Sequence, residues 1–135
     1  MKSSVLLVMT SLLSILFISL HTADDIVRGM EPGGVADLVI VPILVIWLYG
    51  ALVLTERRSG HVITLLGSLL GLVVPLVHFK GAGGVAGGRV AGSAGAFFFV
   101  WILLALGVTA SFSLVLSARE LWRGRRAGGR GAAAA

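Results

Sequence analysis

Two histidines and one aspartate are the side chains of this sequence best suited to holding a metal ion. His21, Asp37 and His78 supply imidazole and carboxylate groups, which are ligands of zinc, copper and iron in proteins. They are far apart along the chain and form no compact ligand motif such as HxxxH. A metal or haem site therefore requires the elements that carry them to bring them together. In the alternative interpretation, the histidines bond to backbone and lipid headgroups, and the acids cap helices.

The elements that carry these residues follow from the scarcity of charge. Of the 135 residues, 57% are hydrophobic and 13% are charged, and the mean hydropathy is +1.03. This composition excludes a disordered chain and argues against a soluble globule. The charges leave four uncharged windows, each long enough for a membrane-spanning helix: 3–23, 38–55, 59–79 and 90–118. We predict an all-α integral membrane protein with one domain, 1–118, an antiparallel bundle of transmembrane helices at about 4–20, 35–55, 61–79 and 96–118.

Basic residues are distributed unevenly between the two sides that four helices would define. Three lie on one side and eight on the other, the larger group being Lys2, Arg57, Arg58, Arg119, Arg123, Arg125, Arg126 and Arg130. The positive-inside rule places the larger group, and with it both termini, in the cytoplasm. Contact with lipid phosphate is expected there for Arg57, Arg58, Arg123, Arg125 and Arg126. The segment 119–135 is basic and rich in glycine and alanine, and we predict a disordered cytoplasmic tail.

The first helix also fits the pattern of a secretory signal, with Lys2 before an apolar stretch and Ala23 before a candidate cleavage point. His21 stands where a small residue is expected, and the apolar stretch is long for a signal, so we predict a retained helix. The richness in Ala, Gly, Val and Arg, together with short loops, indicates a bacterial inner membrane.

The connections between the helices differ in character. Thr22 and Asp25 have the spacing of a capping box and precede an apolar face, which predicts a short outer interfacial helix between helices 1 and 2. The sequence 31–34, Glu-Pro-Gly-Gly, then turns the chain into helix 2. The segment 80–95 contains seven glycines and is predicted to be a flexible tether.

Small residues mark the faces on which the helices are expected to pack. Gly67 and Gly71 form a GxxxG pattern on helix 3, and small residues including Thr109 and Ser113 recur every fourth position on helix 4. Membrane helices associate through such residues and through hydrogen bonds between helices. We therefore predict helix packing at Gly67, Gly71, Thr109 and Ser113.

Helical periodicity turns both histidines toward these faces. At about 100° per residue, His78 lies within about 20° of Gly67, and His21 lies within about 20° of Ser14 on the polar side of helix 1. Pro42 and Pro75 are expected to interrupt helices 2 and 3 at a similar depth. We predict a kinked, partly hydrated outer pocket lined by His21, Asp37 and His78.

Catalytic motifs are missing from this sequence. It has no cysteine, no GxSxG, no P-loop and no HExxH, so we predict that the protein is not an enzyme. The favoured function is an accessory, assembly or scaffolding subunit of a membrane complex. One alternative is an outward-facing metal- or haem-binding protein that uses His21 and His78. Another is a small transporter, which the two prolines favour and the absence of charge within the spans disfavours.

The expected partners follow from the same composition. Membrane lipids are expected, and protein partners or further copies of the chain are plausible because so small a bundle has much lipid-facing surface. Nucleic acid is not expected, because basic segments next to membrane helices ordinarily set topology and meet anionic lipid. No cofactor is predicted.

Overall fold

Four helices make up almost all of the structure, a computed structural model that describes residues 3–80, 90 and 92–132, with side chains for 3–79, 90 and 92–124. The helices are α1 (Ser3–Val27), α2 (Ile40–Leu52), α3 (Arg58–Lys80) and α4 (Ala96–Ala132), and a short 3-10 segment, Val35–Val39, leads into α2. This part of the chain contains no strand. With the 3-10 segment counted as part of α2, all four are long and apolar enough to cross a membrane. The predicted all-helical fold, with four helices long and apolar enough to span a membrane, is thus confirmed.

The predicted interfacial helix after helix 1 is wrong, because α1 continues without a break to Val27. Thr22 does not cap a new helix, since its hydroxyl donates to the carbonyl of Ile18 one turn earlier, at 2.9 Å. The helix stops at Gly29, whose φ of 67° lies in the left-handed region that glycine tolerates. The amides of Gly29 and Met30 bond back to the carbonyls of Ile26 and Asp25, at 3.0 and 2.9 Å. These bonds form a Schellman motif, which ends a helix by satisfying its last carbonyls.

The start of helix 2 also differs from the prediction. Residues 35–39 form the 3-10 segment, so Pro42 is the third residue of α2 and removes no hydrogen bond from the interior of a long helix. Pro75, in contrast, lies inside α3 as predicted.

The boundaries of the last two helices also shift. Whereas helix 3 was expected from His61, α3 begins at Arg58, and α4 runs past the predicted end at Ala118 to Ala132. The backbone of 119–132, predicted as a disordered tail, is therefore helical. The segment 119–132 contains no proline, and its five arginines favour helix, whereas its four glycines do not. Most of the predicted glycine-rich tether, at 81–89 and 91, lies outside the described residues.

The helices alternate in direction, so the bundle has two chemically different ends. The acidic end holds the end of α1, the start of α2, the end of α3 and the start of α4, and its acids are Asp24, Asp25, Glu31 and Asp37. The arginine-rich end holds the opposite termini with Arg57, Arg58, Arg119 and Arg123. α1 and α3 pack extensively on α4 and touch each other little, while α2 packs on α3 and α1. The fully buried centre of α4 is formed by Ile102, Leu103, Leu106 and Ala110.

The ring of Trp47, on α2, packs against both glycines of the GxxxG pattern. A Cβ atom placed on Gly67 would lie 2.3 Å from Cδ2 of Trp47, and one on Gly71 would lie 3.2 Å from Cβ of Ala110. The indole of Trp47 is 1% exposed and packs with Ile18 and Leu106 in the central cluster. The predicted packing role of both glycines thus takes the form of close contact between α2, α3 and α4.

Hydroxyl groups join three helices in the interior of the bundle. The Ser113 oxygen of α4 lies 2.9 Å from that of Ser11 on α1 and 2.8 Å from that of Ser68 on α3. One turn away, Ser14 donates to the hydroxyl of Thr109 at 3.1 Å. The side chains of Ser11, Ser14, Ser68 and Ser113 are fully buried. These bonds fix the depth of α1 and α3 relative to α4.

We expect Gly67→Ala to destabilise the bundle by about 1–3 kcal/mol, because the added methyl group must displace the Trp47 ring from a filled core. Gly124→Ala is the matched control, since a Cβ there meets nothing within 4 Å. Unfolding of both variants in mixed micelles, at rising fractions of an anionic detergent, measures the difference. Equal stability of Gly67→Ala and the unchanged protein would contradict the packing described.

Ser113→Ala should cost about 1 kcal/mol, because it removes the hydroxyl through which α4 bonds to α1 and α3. The cost stays modest because Ser11 and Ser68 also bond to carbonyls of their own helices, Leu7 and Thr64. Ser111→Ala is the control: that hydroxyl is exposed and bonds only to Gly107 one turn earlier. The same unfolding assay should show no more than about 0.5 kcal/mol for the control. A larger loss in the control than in Ser113→Ala would show that the network does not hold the helices.

Candidate metal centre

His21 and Asp25 lie one helical turn apart near the end of α1, on the face that packs into the bundle. Residues at positions i and i+4 of a helix stand above one another, so the two side chains reach the same point. His21 is 3% exposed and Asp25 is 5% exposed. Nε2 of His21 lies 3.3 Å from Oδ2 of Asp25. The extension of α1 beyond its predicted end is what brings Asp25 to this position.

His78 reaches the same point from α3. Its ring meets the ring of His21 edge to face, with the centroids 4.5 Å apart, and its Nε2 lies 3.4 Å from Oδ2 of Asp25. Nδ1 of His78 lies 2.9 Å from the carbonyl oxygen of Val74. A carbonyl only accepts, so Nδ1 carries the proton, and in the neutral ring Nε2 keeps its lone pair. In that form, Nε2 of His78 can bind a cation next to Asp25.

The separations among these atoms suit the coordination of one metal ion. Ligands at about 2.0–2.2 Å from a tetrahedral zinc ion are about 3.3–3.6 Å apart. The two distances from Asp25 to the histidines fall in or beside that range, at 3.3 and 3.4 Å. One ligand atom from each of the three residues lies within 4.8 Å of the others.

Several polar atoms of the cluster are buried without a hydrogen-bond partner among the described residues. They are both ring nitrogens of His21 and Oδ1 of Asp25. Burying such atoms without a partner is costly in a protein, and more so where water is scarce. A cation or a water molecule beside these atoms would supply the missing partners.

Asp37 lies beside the cluster and is not one of its ligands. It lines the same cavity of about 290 Å³ as His21, Asp25 and His78. Its carboxylate, however, accepts the amide of Gly34 at 2.9 Å and so caps the 3-10 segment. The structure therefore brings His21 and His78 together as expected and supplies Asp25 where the sequence suggested Asp37. The spacing His21-x-x-x-Asp25 was the signal that could have identified the carboxylate.

One wall of the cluster is aromatic. The Phe99 ring of α4 is completely buried, and its centroid lies 5.4 Å from that of His21 and 5.8 Å from that of His78. The guanidinium of Arg28 also lies over the Phe99 ring, 5.4 Å from its centroid. Phe99 thus contacts both imidazoles and the guanidinium.

Arg28 is committed to other partners. Its Nε donates to Asp24 at 2.6 Å, and its terminal nitrogens donate to Ser93 and to the carbonyl of Gly95, both at 2.8 Å. These bonds tie the end of α1 to the start of α4. Arg28 is therefore not bonded to Asp25, whose neighbours in the cluster are the imidazoles of His21 and His78.

The remaining predicted site residues lie away from the cluster. Gly67, Gly71, Thr109 and Ser113 are inside the bundle, as described above. Arg57, Arg58 and Arg123 are exposed at the arginine-rich end, where Arg123 also pairs with Glu120 at 3.1 Å. The backbone of Arg125 and Arg126 belongs to α4, and their side chains lie outside the described residues.

A haem held between the two histidines does not fit this arrangement. The imidazoles touch each other, with centroids 4.5 Å apart, and leave no space for a flat macrocycle between them. The site geometry suits a single metal ion instead.

Comparison with known proteins adds no relative to this description. No protein-family model, no curated protein and no solved structure matches the chain. The interpretation of the site consequently depends on its own chemistry.

Proposed function

We propose that this protein binds a divalent transition-metal ion, such as Zn²⁺, through His21, Asp25 and His78 at the acidic end of a membrane-spanning bundle. The convergence of two imidazoles and a carboxylate, buried and incompletely partnered, is the observation that carries the proposal. Imidazole and carboxylate together favour zinc, copper, iron or nickel over calcium and magnesium, which take oxygen ligands.

The surroundings of the cluster support a cation there. Among the described residues that line the cavity are three acids, Asp25, Glu31 and Asp37, and no lysine or arginine. A metal ion would offset the charge of the buried carboxylate. It would also bind one of the two unpartnered ring nitrogens of His21. In a medium of low polarity this attraction is stronger than in water.

The favoured placement in a membrane follows from the charge distribution. We propose an integral membrane protein with both termini and the arginine-rich end in the cytoplasm and with the acidic end outside, in a bacterial inner membrane. The excess of arginine at one end supports this orientation. The metal site would then face the extracytoplasmic side.

The other functions considered from the sequence remain predictions. An accessory or scaffolding subunit would pack on partners through faces of small residues. The face at Gly67, however, is already covered by the Trp47 ring of the same chain. A transporter was favoured by two interrupted helices, but Pro42 lies in the first turn of α2. Neither function has an observation in its favour as specific as the cluster.

Zn²⁺ should bind the detergent-purified, chelator-treated protein at one ion per chain. Asp25→Asn and His78→Ala should each weaken the affinity by more than about 100-fold, because each removes a direct ligand. His61→Ala is the matched control, since His61 lies at the arginine-rich end in a different cavity. Isothermal titration calorimetry gives the stoichiometry and affinity, and size-exclusion chromatography confirms that each variant remains folded. Zinc binding that is equally tight in all three variants would refute the assignment.

The orientation can be tested because the chain has no cysteine. Ala36→Cys introduces an exposed thiol at the acidic end, and Ser59→Cys introduces one at the arginine-rich end. On intact spheroplasts, a membrane-impermeant maleimide should label Ala36→Cys and should label Ser59→Cys only after permeabilisation. The reverse pattern would place the acidic end in the cytoplasm.

A further inference from the structure

We infer that the metal ion exchanges with the aqueous phase through the acidic cavity beside the cluster, with Glu31 and Asp37 capturing it on the way to His21, Asp25 and His78. This inference rests on the proposed metal binding and concerns the route and the lability of the ion. It describes a site that takes up and releases its cation, in contrast to a sealed structural metal.

The acids of the cavity are arranged from exposed to buried. Glu31 is exposed, Asp37 is half-buried and Asp25 is buried, and all three line the same space of about 290 Å³. A cation that enters from solvent therefore meets a carboxylate at each stage. A cleft lined by charges of one sign concentrates the oppositely charged ligand and accelerates its association.

The aromatic wall closes one side of the cluster. Phe99 is completely buried against both imidazoles. Arg28, whose guanidinium lies over the Phe99 ring, donates hydrogen bonds to residues 93–95 and so ties this connection to α1. The cavity thus offers a route from the cluster to solvent among the described residues.

The rim of the cavity is held in place by local bonds. The Schellman motif fixes the turn after α1, and Gly33, at a φ of 66°, lies so close to Ile26 that a Cβ there would be 2.8 Å from its Cγ2. The carboxylate of Asp37 is positioned by its bond to the amide of Gly34. Because the carboxylates are held beside an existing opening, the ion can pass without unfolding of a helix.

The number of protein ligands also favours exchange. Three residues supply ligands, whereas structural zinc sites ordinarily have four. The cavity adjoins the three ligands, so water or an incoming donor can occupy the fourth position from that side. Such an open position allows an associating ligand to help remove the metal.

The test compares the rates of zinc uptake and release in the full-length protein. Stopped-flow mixing with Zn²⁺ and a fluorescent zinc chelator measures both rates at low and at moderate salt. We expect Glu31→Gln/Asp37→Asn to slow association at least about tenfold at low salt and to reduce its dependence on salt. Asparagine can still accept the Gly34 amide, and the single variant Glu31→Gln changes only an exposed side chain, so it should fold and show a partial effect. Glu56→Gln, at the arginine-rich end, should leave both rates unchanged.

Two outcomes would overturn the inference while leaving metal binding intact. One is zinc that associates with the double variant as rapidly as with the unchanged protein. The other is zinc that binds but is not removed by excess chelator within hours, which would indicate a sealed site. If the unchanged protein binds no zinc at all, the proposed function itself fails, and that result is distinct from the other two.

Discussion

Two imidazoles and a carboxylate are buried together against apolar side chains, and this burial constrains everything else at the acidic end. A buried carboxylate needs a positive charge or several hydrogen-bond donors to offset its lost hydration. The guanidinium of Arg28 does not neutralise Asp25, because it bonds to Asp24 and to the carbonyl of Gly95 before α4. The fold also orients His78, whose Nδ1 lies 2.9 Å from the carbonyl oxygen of Val74, so that Nε2 faces Asp25. A bound cation meets these requirements together.

The rest of the bundle holds the helices that carry the cluster at a fixed spacing. In a membrane, where lipid offers no hydrophobic drive between helices, close packing and hydrogen bonds would supply the association. The hydroxyls of Ser11, Ser68 and Ser113 link α1 and α3 to α4, and Trp47 fills the groove at Gly67. Since α1 and α3 touch each other little directly, the spacing of His21 and His78 depends on these contacts through α4 and α2.

Much of this architecture could be predicted from the sequence because long apolar helices are regular. Uncharged windows located the four spans, and steps of 100° correctly turned His21 and His78 inward at one end. Asp25 was missed because Thr22 and Asp25 were interpreted as a helix start, although Gly29 followed by Pro32 is the usual signal of a helix stop. The contact of Trp47 with Gly67 was beyond such reasoning, since the depth of one helix against another depends on three-dimensional packing.

X-ray absorption spectroscopy of the zinc-loaded protein tests the central claim most directly, because it reports the atoms bound to the metal. We predict a first shell of nitrogen and oxygen at about 2.0–2.2 Å, with outer-shell scattering from two imidazole rings that falls to one ring in His78→Ala. A spectrum without imidazole scattering, or one that His78→Ala leaves unchanged, would show that the metal is not held by this cluster.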